Sequence, residues 1–100
     1  MVHEICRTKH IGVLADTYHM AVEGEPVENI ALAGSNLLHV HTANPTGRVY
    51  PAPNDGVDYK KIMDTLKSVN YQGGISIEAF TKYPAFDARI ALEVLRQAMV

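Results

Sequence analysis

Leu37-Leu38-His39-Val40-His41-Thr42 is an apolar run of strand length interrupted by two imidazoles at alternate positions. Side chains alternate across a strand, so His39 and His41 share one face. Runs of similar character lie on either side. Upstream, Ile11-Gly12-Val13-Leu14-Ala15-Asp16 ends in a carboxylate; downstream, Gly73-Gly74-Ile75-Ser76-Ile77-Glu78-Ala79-Phe80 carries another. β-Branched residues recur in these flanking runs, as strands favour. In the first, Leu14 and Asp16 share a face opposite Val13 and Ala15. In the third, Ser76 and Glu78 share a face opposite Ile75 and Ile77.

Helical patterns separate the runs. Pro26 suits the first turn of a short helix with Val27, Ile30 and Ala31 on one face and Gly34 as its stop. Asp58 suits the N-cap of the next, in which Tyr59, Ile62, Met63, Leu66 and Val69 repeat at helical spacing before Gly73-Gly74. The last segment places Ile90, Ala91, Val94, Leu95, Ala98 and Met99 on one stripe. Residues 1–10 read as the end of a helix and a polar loop. The order is β-α-β-α-β-α. Helical crossovers imply parallel strands, and hence an α/β fold. The long irregular stretch from Ala43 to Gly56 is a candidate functional loop.

One hundred residues form one domain, 1–100, without an internal linker. The chain is 47% apolar and 20% charged, which excludes disorder and low-complexity repeats. Its formal net charge of −2 argues against a nucleic-acid partner, and no apolar run is long enough to span a membrane. Cys6 is the sole cysteine, so no internal disulfide can form. With no export signal after Met1, the expected setting is cytoplasmic.

Polar residues stand at the downstream end of each strand: Asp16, then His39 and His41, then Glu78. In a parallel α/β sheet these ends share one edge, where ligands bind. Carboxylate, imidazole and carboxylate converging there suit a divalent cation such as Mn²⁺, Mg²⁺, Co²⁺ or Zn²⁺. Such an ion could hold sugar oxygens and act as a Lewis acid.

Three ordered blocks carry a resemblance. Leu14-Ala15-Asp16-Thr17-Tyr18-His19-Met20-Ala21-Val22-Glu23 resembles the Asp-Thr-aromatic-His-Met…Glu segment of the xylose-isomerase-like sugar isomerase and epimerase superfamily. His39-Val40-His41-Thr42, followed by Arg48 and Pro51, resembles its next block. Gly56-Val57-Asp58-Tyr59 and Tyr71-Gln72-Gly73-Gly74-Ile75-Ser76-Ile77-Glu78 resemble the block that ends in its last metal carboxylate. Ketose 3-epimerases and hydroxypyruvate-isomerase-like proteins are the relatives it points to.

The resemblance implies a partial TIM barrel: the C-terminal part, with three parallel strands and three helices forming the sixth to eighth units of a (β/α)₈ barrel. It implies metal ligation by Asp16, His41 and Glu78, with Glu78 also catalytic. His19 and Arg48 would contact a sugar or sugar phosphate, and His39 would line the same pocket. Glu23 also matches a family position. An upstream glutamate of the family has no counterpart in this sequence. The loop also departs from the family's Arg-x-x-Pro-Gly-x-Gly, since Arg48-Val49-Tyr50-Pro51-Ala52-Pro53-Asn54-Asp55-Gly56 lacks the middle glycine. Asn44 stands where many relatives have Asp or Glu.

The expected activity of the family is metal-dependent isomerisation or epimerisation of a sugar by proton transfer beside a carbonyl. The isolated chain, without the second carboxylate, is expected to be inactive. Half a barrel leaves sheet faces uncovered, so it is also expected to form a homo-oligomer. A non-catalytic remnant that folds by self-association is the alternative. An endonuclease IV-like or inosose-dehydratase-like role ranks lower. His3 and His10 read as surface residues, and Cys6 as inert.

Overall fold

The computed structural model describes residues 12–100, and the expectations for His3, Cys6, His10 and Ile11 lie outside them. Three strands, β1 (Val13–Asp16), β2 (Leu37–Thr42) and β3 (Ile75–Ile77), form one parallel sheet in the order β1-β2-β3. Helices follow each strand: α1 (Thr17–Val22), α2 (Tyr59–Ser68) and α3 (Pro84–Ala98). A 3₁₀ segment, Val27–Asn36, joins α1 to β2. The architecture is three strand–helix units of an open, partial TIM barrel.

Strand alternation sorts the side chains. Val13, Ala15, Val40 and Thr42 are buried beneath the helices, while Leu14, His39, His41 and Ser76 alternate with them on the opposite face. The core between sheet and helices contains Val13, Ala15, Val40, Ile30, Ile62, Leu66 and Leu95, with Ile75 and Ile77 packed against it. Val40 and Ile30 are completely buried. Each contributes roughly 1.5–3 kcal/mol by leaving water. The buried hydroxyls of Thr17 and Thr42 satisfy each other, with Thr17 Oγ1 donating to Thr42 Oγ1 at 2.8 Å.

The register has one irregularity. Val13 pairs with Leu37, but Leu14 pairs with His39, so Leu38 is an extra residue on β2. Beyond this bulge the strands run in step: Asp16 pairs with His41, and His41 with Ser76. β3 ends at Ile77, shorter than the run expected from Gly73 to Phe80. Glu78 nevertheless stays attached to the sheet, its N–H donating to the Thr42 carbonyl at 3.1 Å.

The connections differ in detail from the sequence reading. The chain turns into α1 directly after Asp16, a helix the periodicity did not single out. Pro26 precedes the following segment with an extended backbone (ψ 138), and that segment is 3₁₀ rather than α. It buries Ile30 and Ala33, with Val27 against the core, at the three-residue repeat of a 3₁₀ helix; Ala31 is only half-buried. Gly34 does interrupt it, at φ 53, but a further turn runs to Asn36.

α2 starts at Asp58, whose Oδ1 accepts from the Lys61 N–H at 2.9 Å, and buries Tyr59, Ile62, Met63 and Leu66. α3 begins at Pro84 and buries Ala91, Leu95 and Ala98 beside α2. Met99 falls just past its end and is exposed, which removes it from the expected stripe. No described helix is long and apolar enough to cross a membrane.

Candidate functional site

The downstream rim of the sheet gathers the polar residues. Asp16 ends β1 and caps α1, so its two carboxylate oxygens have different duties. Oδ1 accepts from the His19 N–H at 3.2 Å, while Oδ2 faces the rim. His41 Nδ1 lies 3.8 Å from Asp16 Oδ2 and 3.8 Å from Glu78 Oε2. His41 therefore stands between carboxylates from both neighbouring strands. Asp16 is largely buried, His41 half-buried, and the Glu78 side chain 56% exposed.

Two cationic or potentially cationic side chains approach the same oxygen. His19, one turn into α1, places Nε2 at 3.9 Å from Asp16 Oδ2, and Arg48 places Nη2 at 4.0 Å. Arg48 comes from the long loop after β2. Gly47 (φ 79) and Arg48 (φ 51) both take left-handed backbone there, which is costly for a side chain larger than glycine. The turn is held from several sides. Asn44 bonds to Val49, the Phe80 N–H donates to the Arg48 carbonyl at 2.8 Å, and Arg48 Nε donates to the Glu78 carbonyl at 3.4 Å.

Farther along the loop, Asp55 accepts from the N–H groups of Ala52 and Val57, each at 3.0 Å, and from the Tyr59 hydroxyl at 2.7 Å. Burial first, then the hydrogen bond to Asp55, and last the Asp55 charge, push the Tyr59 phenol above its ordinary pKa. These contacts tie the arginine-bearing loop to α2 without the family's middle glycine.

The sequence reading overlooked some rim residues. Tyr18 lies under the Arg48 guanidinium at 4.5 Å and edge-on to His19 at 5.1 Å between ring centroids. Its only signal was the aromatic position between Asp-Thr and His. Ser76 Oγ sits 2.7 Å from His39 Nε2. Its shared face with Glu78 was readable, but the partner lies diagonally across the neighbouring strand. His39 itself stands on the inner face behind His41, their ring centroids 5.2 Å apart. Glu23 is exposed at the C-cap of α1.

A family profile described as the xylose isomerase-like TIM barrel matches residues 1–98. The chain belongs to this family. Among solved structures, it is similar to the D-psicose 3-epimerase of Clostridium cellulolyticum H10, at 23% identity and a TM-score of 0.81, covering 93% of this chain and 39% of that one. It is also similar to the E. coli 3-keto-D-glucoside 4-epimerase, at 28% identity and a TM-score of 0.73, covering 89% and 34%. An L-ribulose 3-epimerase gives 25% identity and a TM-score of 0.63, covering 91% and 28%. The chain thus spans between about a quarter and two-fifths of these relatives. Curated protein sequences gave no match.

Within the xylose isomerase-like fold, the rim has the donor chemistry for a hard or borderline divalent cation: two carboxylates and an imidazole, with no thiolate. Among the described residues, no group of three His, Cys, Asp or Glu side chains is placed to hold a metal ion as it stands. The 3.8 Å separations exceed the roughly 3.0–3.4 Å between neighbouring donors around an ion with ~2.1 Å bonds.

Proposed function

We propose that this chain supplies one portion of a divalent-metal-dependent sugar isomerase or epimerase site, acting on a ketose or its phosphate. The observation that carries this reading is the position of His41 Nδ1, at 3.8 Å from both Asp16 and Glu78. Asp16, His41 and Glu78 would hold Mn²⁺, Mg²⁺, Co²⁺ or Zn²⁺. When bound, the ion would polarise the substrate carbonyl and acidify the neighbouring C–H. Glu78, exposed at the rim, takes up that proton as general base. Arg48 and His19 donate to substrate oxygens, and the Tyr18 ring beneath Arg48 holds the guanidinium in place.

Titration with Co²⁺, followed by its visible absorption and by calorimetry, tests the ligand set. One ion per chain is expected, with binding lost in His41→Ala and Asp16→Ala. An unaltered Co²⁺ isotherm in both variants would overturn the assignment. Ketose conversion tests the division of labour. The isolated chain is expected to show none, because the family's upstream carboxylate has no counterpart in this sequence.

A second reading is a non-catalytic remnant that folds by self-association. The exposure of Leu14 (46%) and Leu38 (63%), beside the open sheet, favours it. Metal-dependent ketose conversion by the purified chain would exclude that reading.

A further inference from the structure

The inner face of the sheet carries a polar contact outside the proposed ligand set. His39 Nε2 and Ser76 Oγ are 2.7 Å apart, linking β2 to β3 through side chains alone. The register places Ser76 directly beside His41 and diagonal to His39. The His39 ring stands edge-on to the His41 ring, at 5.2 Å and 82°. Gly74 leaves room for the ring: a Cβ there would lie 3.3 Å from His39 Cε1, tighter than ordinary contact. Ser76 and His41 thus hold the His39 ring from two sides, against a backbone that carries no side chain.

We propose that Ser76 is a positioning residue: its hydroxyl fixes the His39 ring through Nε2, and His39 holds the His41 imidazole with Nδ1 toward Asp16 and Glu78. An imidazole has two tautomers and can flip about its ring axis. A hydroxyl can donate to Nε2 or accept from it, so the bond to Ser76 fixes the orientation of the ring whichever tautomer is present. His39 passes that orientation on by packing edge-on against the His41 ring. The expected effect on cation affinity rests on the metal reading above, whereas the ring arrangement belongs to the metal-free chain and is measured there.

Long-range ¹H–¹⁵N spectra of the labelled full chain read both rings directly. In the wild type, His39 Nε2 should show the shift of a hydrogen-bonded nitrogen. Ser76→Ala should move that signal and shift those of His41, and Ser76→Thr, which keeps the hydroxyl, should restore both. Unchanged His39 and His41 spectra in Ser76→Ala would overturn the proposal, as would a change confined to His39.

Co²⁺ titration supplies the second measurement. Ser76→Ala should weaken binding about tenfold, in the range found for partners of metal-bound histidines, with recovery in Ser76→Thr. Full affinity in Ser76→Ala would overturn the link from Ser76 to His41. If the wild-type chain binds no Co²⁺, the cation reading fails, and the ring spectra alone decide the role of Ser76.

Discussion

Replacing Asp16 by Asn and by Ala separates the duties of its two oxygens. Oδ1 caps α1 through the His19 N–H at 3.2 Å, whereas Oδ2 faces His41, His19 and Arg48 at 3.8–4.0 Å. Asn caps a helix about as well as Asp, so Asp16→Asn retains the first duty. Ala removes both, and loss of a cap costs about 1 kcal/mol. For a domain of this size that lowers Tm by roughly 4–8 °C relative to Asp16→Asn. The rim duty shows only with metal. A cation at about 100 times its Kd stabilises the folded state by about 2.7 kcal/mol, or roughly 10–20 °C. The wild type should gain this, and neither variant should. Thermal unfolding followed by circular dichroism, with and without Mn²⁺, measures both quantities. Equal stability of the two variants without metal would disprove the cap assignment. A wild-type metal response in Asp16→Asn would disprove the rim assignment.

Asp55→Ala should cost about 2–3 kcal/mol in urea unfolding, since three donors lose one charged acceptor. A loss below about 0.5 kcal/mol would show that the loop is held by other contacts. Tyr59 governs stability at alkaline pH. Its folded pKa is raised, so its contribution is complete below the unfolded value near 10 and declines as pH rises beyond it. The wild type should therefore lose stability more steeply than Tyr59→Phe above about pH 10, and parallel pH profiles would contradict this. Light scattering should find a dimer or larger species through the open sheet, reduced by Leu14→Lys with Leu38→Lys; a monodisperse monomer of the wild type would count against association.

The alternation of Leu14 with Asp16, of His39 with His41 and of Ser76 with Glu78 made both faces of the sheet legible before any coordinates. Parallel pairing followed from the helical stretches between the runs. The rim residues could be grouped because strand ends in such sheets share an edge. Their separations could not, because they depend on register, and the extra Leu38 shifts that register without a mark in the hydrophobic pattern. The 3₁₀ segment was misread because Ala31 and Ala33 are chemically alike, and only packing decides which is buried. Ser76–His39 and Arg48–Tyr18 escaped because each joins residues far apart in sequence, and one needs a left-handed turn at a non-glycine residue. Asp55 lies in the long loop with nothing in its neighbours to mark it, and only the fold brings Tyr59 onto it.

Leu38 acts as slack in the middle strand. It sits above the point where Asp16, His41 and Ser76 fall into one row. Losing its codon would straighten the strand and leave that row intact. Losing a codon between Val40 and Thr42 would present the wrong side-chain parity at the rim, replacing imidazole by an aliphatic or hydroxyl group. Length changes in the gene are therefore absorbed on one side of the bulge and abolish the rim on the other.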